Sequence, residues 1–299
     1  MLDAKNVKLG RAPIAWTNDD MPDLGAENTF EQCVSEMALA GFTGSEVGNK
    51  YPKDPEVLKK ALELRGMEIC NQWFSSFLLT KPFEEVEKDC RAQLAFLKAM
   101  GAKIIGFSEQ SYSVQGQMDT PVFGHKYVLN DQEWQTLCEG LNRLGKIALE
   151  EYGIHLTFHH HMGTVVQSLE ETDRLMEGTD PRYVSLLFDS GHFAYCGEDP
   201  VAIVKKYIGR IKHVHLKDIR PEVVQRVKEE NLSFLQGVRE GAFTIPGDGC
   251  VDFPAIFKVL EDNNYQGYML VEAEQDPAKA NPLEYAIRAR KYIREQTGI

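Results

Sequence analysis

The sequence predicts an α/β protein that folds as one (β/α)8 barrel, a TIM barrel, over residues 1–299. An amphipathic helix, a glycine and a short run rich in β-branched and apolar residues follow one another repeatedly, and such alternation implies a parallel sheet with helical crossovers. Eight units fit the roughly 250 residues of one barrel with insertions. No glycine-rich G-x-G-x-x-G follows the first strand, which disfavours an open nucleotide-binding sheet.

The first half of the chain contains the most regular copies of this unit. A glycine closes each helix, because glycine adopts the left-handed backbone conformation at a helix end without strain. The predicted helices are 30–40, 55–65, 82–100 and 131–152, closed by Gly41, Gly66, Gly101 and Gly153. The predicted strands are an opening strand near 9–16 and the runs FTGSEVG, MEICNQWF, AKIIGFSE and IHLTFHHH.

The second half is less regular but repeats the same order. The run YVSLLFD precedes a helix at 200–207, and RIKHVHL precedes an insertion. A helix at 253–262 leads into GYMLVEAE and a last helix that ends near Gln296. The total is eight strands alternating with eight helices.

Two segments are longer than ordinary connections. Residues 110–130 follow the fourth strand, and residues 218–249 follow the seventh and contain PEVVQRVKEENLSFL, whose apolar spacing predicts a short helix. Both lie on the mouth side of the barrel. Long loops in compact domains are often lids or binding loops, although plain surface excursions are the alternative.

Composition excludes several classes of partner. With 33 Lys+Arg against 45 Asp+Glu, the net charge is −12, which repels phosphate backbones, so we expect no nucleic acid partner. Six widely spaced cysteines without a CxxC pair are expected to be reduced. No apolar h-region and no run near ~18 apolar residues occurs. We expect a cytoplasmic protein with no membrane contact, and the sequence leaves a homo-oligomer open.

Four successive strands end in an imidazole or a carboxylate. Alternation along a strand sends every second side chain inward, and the C-terminal strand ends are the face on which barrel enzymes keep their active sites. The four residues are His159, Asp189, His215 and Glu272. Taken singly, each would be interpreted as a hydrogen-bonded or salt-bridged barrel residue. Taken together, they predict a common site.

Buried polar groups that converge in this way need a positive partner. We therefore predict one divalent metal ion bound by His159, Asp189, His215 and Glu272. Mixed nitrogen and oxygen ligands suit Mn²⁺, Co²⁺, Zn²⁺ or Fe²⁺ better than Mg²⁺ or Ca²⁺. We expect Mn²⁺ or Co²⁺ ahead of Zn²⁺ or Fe²⁺, although the ligand types do not choose among the four.

Several motifs resemble the xylose-isomerase-like barrel superfamily, namely FDSGHF, HVHLKD, PGDGCVDF and VEAE. Within it, PIAWTNDDMP, EVGNKYP and above all HHHMGTVVQ are similar to the inosose dehydratases, which remove water from 2-keto-myo-inositol in inositol breakdown. The likeness runs from about Gly10 to the C-terminus. Superfamily members usually carry Glu, Asp, His and Glu as metal ligands, so His159 departs from the pattern and argues against ordinary epimerisation.

The resemblance implies a substrate, a chemistry and a second cofactor. The substrate would be a small polyol ketone, and the product a cyclic 1,2-dione. Glutathione is implied by the resemblance only, since no residue pattern identifies a site for it. Two alternatives stay open: a ketose or inosose epimerase or isomerase, and a non-catalytic sugar-binding barrel.

Proton transfer and substrate binding have several candidate residues. The groups expected to move protons are Glu272, His192, Lys217 and His161, because histidine titrates near neutrality and acids or lysines are retuned by burial. The sequence does not divide them into base and acid. The residues expected to bind substrate, at or just beyond the first four strands, are Trp16, Asn18, Glu46, Trp73 and Glu109.

Overall fold

A computed structural model describes residues 2–299 and contains a parallel sheet that closes into a barrel. Its strands are β1 (Val7–Arg11), β2 (Gly44–Glu46), β3 (Glu68–Asn71), β4 (Trp73–Ser76), β5 (Ile104–Glu109), β6 (His155–His159), β7 (Val184–Asp189), β8 (Ile211–Leu216) and β11 (Gly267–Val271). Two short strands, β9 (Asp218–Ile219) and β10 (Phe243–Thr244), form an antiparallel pair outside this sheet.

Closure of the barrel depends on a single residue. The strand order is β3-β2-β1-β11-β8-β7-β6-β5-β4, and only Gln72 separates the two strands at its ends. The peptide N–H of Gly106 donates to the Gln72 carbonyl at 3.1 Å. The segment from β3 to β4 thus acts as one strand, and the barrel has the predicted eight. The TIM-barrel prediction is confirmed.

Most helices pack around the outer side of the barrel, whereas three contribute to an apolar cluster at its mouth. The helices are α1 (Phe30–Leu39), α2 (Pro55–Glu63), α3 (Phe83–Met100), α4 (Asp131–Ile147), α5 (Leu169–Gly178), α6 (Ser190–Tyr195), α7 (Pro200–Tyr207), α8 (Pro221–Glu229), α9 (Phe234–Arg239), α10 (Phe253–Asp262) and α11 (Pro282–Thr297). Those that contribute to the cluster at the mouth are α6, α8 and α9. Within residues 2–299, no helix has the length and apolar character needed to cross a membrane.

Most predicted elements agree with these bounds, and the differences have local causes. The opening strand ends at Arg11 instead of continuing to 16, because Pro13 begins a short 3₁₀ turn. The predicted helix in the second long segment is two helices, α8 and α9. The six-residue α6 had no periodicity to reveal it, and begins where the Asp189 carboxylate accepts the His192 N–H at 2.8 Å.

The mouth segments share a small apolar core of their own, which we call the mouth cap. Its buried members are Met21, Leu24, Val122, Met162, Tyr195, Ile219, Val227, Phe234, Leu235, Val238, Ala242 and Phe243. Residues 110–130 and 218–249 both contribute to it, and an isolated bridge joins Pro121 to Ser233. The two long segments therefore pack against each other over the barrel mouth.

Gly145 shows how closely the helical layer approaches the barrel. A glycine inside a helix costs about 1 kcal/mol relative to alanine, yet Gly145 lies within α4. A Cβ atom there would stand 2.3 Å from the carbonyl oxygen of Tyr183, just before β7. The absent side chain therefore lets the helix contact the backbone that leads into β7.

We expect Gly145→Ala to destabilise the protein by about 2 kcal/mol, because the clash with a backbone carbonyl outweighs the gain in helix propensity. Urea unfolding measures the change. Gly116→Ala is the control, since a Cβ at that exposed position meets nothing within 4 Å. Equal stabilities for the two variants would contradict the assigned role of Gly145.

Candidate active site

The strand register brings the predicted metal ligands to one level of the barrel. Asp189 pairs with His215, and His159 lies beside Leu187, two residues before Asp189. Leu270 pairs with His215, so Glu272 follows just beyond on the same face. Gly106 faces the barrel interior below them. A Cβ atom there would lie 3.0 Å from the Asn71 amide, so the absent side chain leaves room for Asn71.

The donor atoms of these residues lie close together. His159 Nε2 is 3.4 Å from Asp189 Oδ2, and His215 Nδ1 is 3.5 Å from the same oxygen. His215 Nδ1 also lies 2.8 Å from Glu272 Oε2. Ligands about 2.0 to 2.2 Å from a common ion stand roughly 3 Å apart. His159, Asp189 and His215 therefore have spacings that suit a shared cation, and Glu272 adjoins this group through its contact with His215.

Burial and unused hydrogen-bonding capacity also fit a cation. His159 and Asp189 are almost completely buried. Among the described residues, no group donates a hydrogen bond to Asp189 Oδ2, and His159 Nδ1 also lacks a partner. A buried carboxylate oxygen without a donor is costly unless a charge offsets it.

Glu46 orients the central histidine. Its Oε1 atom lies 2.9 Å from His215 Nε2 and accepts a hydrogen bond of 2.5 Å from the Asn71 amide. A carboxylate accepts from an N–H group, so His215 Nε2 carries a proton. Burial lowers the pKa of His215, but Glu272, Glu46 and Asp189 outweigh burial and raise it above its usual value. A bound cation would displace the proton on Nδ1, while Glu46 would keep the proton on Nε2. This is the usual arrangement behind a metal-bound histidine.

Lys217 is a fully buried ammonium group surrounded by acids. Its Nζ atom lies 2.6 Å from Glu272, 3.5 Å from Glu274 and 3.6 Å from Asp189. Burial lowers the pKa of Lys217, but the attraction of the three carboxylates outweighs burial and raises it above its usual value. The lysine remains charged and neutralises part of the acidic cluster.

Glu274 differs from its neighbours in protonation. Burial raises the pKa of Glu274 to about 8, against the attraction of Lys217 and with the repulsion of Glu272. Its carboxyl group therefore keeps a proton at neutral pH when the site holds no cation. Glu272 has the opposite shift, because Lys217 and His215 outweigh burial and hold its pKa below the usual range.

His161 and His192 form a second imidazole pair beside the first cluster. Their ring centroids are 3.8 Å apart. His161 Nδ1 lies 2.9 Å from the Met162 carbonyl, which can only accept, so Nδ1 carries the proton. Burial lowers the pKa of His161, and the neutral ring has a lone pair on Nε2. His192 Nε2 lies 3.0 Å from Lys217 Nζ.

A cavity opens above the cluster at the barrel mouth. The side chains that line it and can bind or react are Asp19, Asp20, Glu46, Asn49, Gln72, Trp73, Gln115, His161, Glu272 and Glu274. His192 and Lys217 are fully buried and do not line it. Trp73 forms part of the wall, with its ring 5.6 Å from that of His161.

The structure does not bring three of the predicted substrate residues to this cavity. Trp16 is buried and its Nε1 donates to Glu36 at 2.6 Å. The side-chain oxygen of Asn18 accepts the N–H groups of Asp20 and Met21 and so shapes a turn. Position near a strand end was too coarse a criterion, because it ignored which way each side chain points.

Glu109 illustrates that criterion most clearly. It shares the helix-facing side of β5 with Ile105 and Phe107, whereas Gly106 and Ser108 face the barrel interior. Its carboxylate accepts the Ser76 hydroxyl at 2.5 Å and the N–H groups of Leu78 and Ser111. Applying the strand alternation to this position would have excluded it.

Six polar cavity residues were absent from the predicted site, namely Asp19, Asp20, Asn49, Gln72, Gln115 and Glu274. The first two follow Asn18 directly in the chain. An Asn that begins a turn commonly hydrogen-bonds to the backbone of the next residues, so the sequence could have indicated that Asp19 and Asp20, rather than Asn18, face the cavity. Glu274 lies two residues beyond Glu272 on the same face. Gln115 lies in an irregular loop, where the sequence has no periodicity to indicate direction.

Comparison with known proteins agrees with this geometry. The family described as xylose isomerase-like TIM barrel matches residues 34–296. An inosose dehydratase of Clostridium perfringens is 69% identical over 294 residues, which are 98% of this chain and 99% of that protein.

Solved structures share the fold at low sequence identity. The IOLI protein, solved with a zinc atom, is 15% identical with a TM-score of 0.72, over 97% of this chain and 98% of that one. A probable 3-DHS dehydratase from Bacillus anthracis is 16% identical with a TM-score of 0.71, over 96% and 98%. By its family match and its near full-length identity, this chain belongs to the xylose isomerase-like TIM barrel family, within the group of the inosose dehydratases.

Proposed function

We propose that this protein is a metal-dependent hydro-lyase that removes water from 2-keto-myo-inositol and forms a trihydroxycyclohexane-1,2-dione. One observation carries the proposal: a buried His, Asp, His and Glu cluster lies under the mouth cavity of a chain 69% identical to an inosose dehydratase. The epimerase alternative receives less support, because His159 stands where the epimerases carry a glutamate that takes part in proton transfer.

The residues that would hold the metal are His159, Asp189, His215 and Glu272. Their donor spacings, their burial and the unpaired Asp189 oxygen support this assignment. When bound, a divalent metal would polarise the substrate carbonyl and lower the energy of the enolate. The IOLI neighbour binds zinc, and we retain Mn²⁺ or Co²⁺, then Zn²⁺ or Fe²⁺, as the ions to test.

We assign the general base to His161. Its Nδ1 proton is engaged with the Met162 carbonyl, so Nε2 is free to take the proton from the carbon beside the ketone. The ring lines the cavity and is neutral. Because burial lowers its pKa, the His161 ring is unprotonated at neutral pH and its Nε2 lone pair is available to accept a proton from the substrate.

We assign the leaving-group acid to Glu274. It lines the cavity and contacts Lys217, and it is not one of the four proposed metal ligands. His192 and Lys217 are equally close to the cluster but lie behind Glu272, away from the cavity. Glu274 would protonate the departing β-hydroxyl, and the resulting enol would tautomerise to the dione.

Other expectations remain part of the proposal. The substrate is a small polyol ketone that reaches the site from the cytoplasm. Glutathione stays an implication of the resemblance, and a homo-oligomer remains open.

The first prediction concerns the metal. We expect Asp189→Asn to lower activity by more than about 100-fold and to reduce bound metal, because an amide oxygen is a weaker ligand. The fold should persist, since Asn can still accept the N–H of His192. Metal analysis and dione absorbance measure both effects. Asp199→Asn is the control, because Asp199 also begins a helix but lies outside the site. Wild-type metal content in Asp189→Asn would refute the assigned ligand.

The second prediction concerns orientation of His215. We expect Glu46→Ala to weaken metal binding by about 10- to 100-fold, as is typical when the partner of a metal-bound histidine is lost. Glu46→Gln should recover most of this affinity, because its amide oxygen still accepts from Nε2. Titration of apoprotein with Co²⁺, followed by visible absorbance, measures both. Equal affinity in all three proteins would remove Glu46 from this role.

The third prediction separates dehydratase from epimerase. Metal-loaded protein is incubated with 2-keto-myo-inositol in deuterated water, with dione followed by ultraviolet absorbance and exchange by NMR. Wild type should form dione. Glu274→Gln should keep exchange of the proton beside the ketone while losing at least about tenfold in dione formation, a modest part of the ~10²–10⁴ expected from acid catalysis.

Two other results would change these assignments. Uncoupling by His192→Gln but not by Glu274→Gln would make His192 the donor. Exchange with inversion of the carbon and no dione in the wild type would replace the dehydratase by an epimerase.

A further inference from the structure

Two residues from different mouth segments meet at the rim of the cavity. Gln115, in the segment after β5, donates from Nε2 to Asp20 Oδ2 at 3.3 Å. Gln115 is only 8% exposed, and among the described residues its Oε1 atom has no hydrogen-bond partner. Both residues line the cavity. A buried amide oxygen without a donor is costly unless a ligand supplies one.

The backbone holds this pair in place. Asn18 accepts the N–H groups of Asp20 and Met21, and Met21 is buried in the mouth cap. Lys50 donates to three carbonyls of the same segment, at Gly25, Ala26 and Asn28. These bonds fix the backbone that carries Asp20, so little ordering of this segment is needed when its carboxylate binds a ligand.

The loop of Gln115 is fixed equally well. The N–H of Val114 donates to the Gly163 carbonyl at 2.9 Å, and the N–H of Gln115 donates to the Ser113 hydroxyl. A Cβ on Gly163 would stand 3.0 Å from the Gln115 nitrogen. The loop therefore rests directly on the turn after β6, above the proposed metal ligand His159.

The charge of the cavity lining has one sign. Its carboxylates belong to Asp19, Asp20, Glu46 and Glu272, the carboxyl group of Glu274 is protonated, and no lysine or arginine lines it among the described residues. Lys217, the nearest cation, is buried behind two of these acids. Carboxylates accept hydrogen bonds from hydroxyl groups but repel phosphates.

We propose that Asp20 and Gln115 are specificity-determining residues, which accept hydrogen bonds from ring hydroxyls remote from the reacting ketone. The acidic lining makes the cavity selective for uncharged polyol ketones and excludes phosphorylated ones. This inference rests on the proposed function for its substrate class. It adds residues that hold the ring without taking part in proton transfer.

Gln115→Met tests the contact, because methionine keeps the length of the side chain and removes the acceptor. We expect KM for 2-keto-myo-inositol to rise about 5- to 20-fold while kcat stays within about twofold, as loss of hydrogen bonds outside the reacting centre predicts. Gln117→Met is the matched control, since Gln117 is exposed on the same loop, does not line the cavity, and bonds through its side chain only to its loop neighbours Ser113 and Thr120.

Substrate analogues that each lack one ring hydroxyl locate the contact. For wild type, one analogue should have a higher KM than 2-keto-myo-inositol. Gln115→Met should not raise the KM of that analogue any further, because the hydroxyl that Gln115 binds is already missing. The proposal would be overturned if Gln115→Met raised the KM of every analogue by the same factor as that of 2-keto-myo-inositol, or if it left the KM for 2-keto-myo-inositol unchanged.

Binding without turnover separates this inference from the proposed function. Calorimetry with myo-inositol, which has no ketone, should show weaker binding to Gln115→Met and to Asp20→Asn than to wild type. If wild type forms no dione but shows this pattern, the proposed function fails and the inference stands. Binding of myo-inositol 1-phosphate to wild type as tight as that of myo-inositol would overturn the selectivity.

Discussion

The site depends on the ion pairs that the buried ammonium group of Lys217 makes with the carboxylates around it. A buried charge is tolerated only when opposite charges offset its lost hydration. Here the offsetting charges are Asp189, at the end of β7, and Glu272, just beyond β11, while Glu274 accepts a hydrogen bond from the same ammonium group. This requirement fixes where three strand ends lie relative to one another. The same acids then face a space that a divalent cation suits. Asp189 and Glu272 therefore neutralise Lys217 and, in the proposed function, would also hold the metal.

The mouth cap extends this arrangement outward. Phe243, a buried cap residue, has its ring centroid 4.5 Å from Lys217 Nζ, so the apolar cluster that joins the long segments also covers the buried cation. Low dielectric around Lys217 strengthens its attraction for the acids. On the opposite side, no lysine or arginine among residues 2–299 lines the cavity, whose polar groups are carboxyl, amide and imidazole groups. The protein thus keeps its cation in the wall and presents acceptors to the ligand.

The sequence predicted the fold with little loss because its signals are local and repeated. The helix closed by Gly101, the π-helical turn Ala148–Tyr152 that extends α4 and ends at Gly153, and the runs that became β6 and β7 require no knowledge of distant residues. Prediction was weaker where an element is short, as in α6, or where a proline ends a strand, as at Pro13. In predicting the site, the two-residue alternation of a strand correctly selected His159 and Asp189. The same alternation was not applied to Glu109, which was therefore wrongly included among the residues that face the cavity.

The sequence by itself determined the eight-unit barrel, the acidic balance and the four strand-end residues of the cluster, because each depends on composition or on the two-residue period of a strand. Only the tertiary structure decided that Glu46 orients His215, that Lys217 and His192 lie behind the cavity, and that Asp20 meets Gln115. Those contacts join residues as much as 169 positions apart. Such pairs depend on how the barrel closes and how its loops pack, which no local pattern encodes.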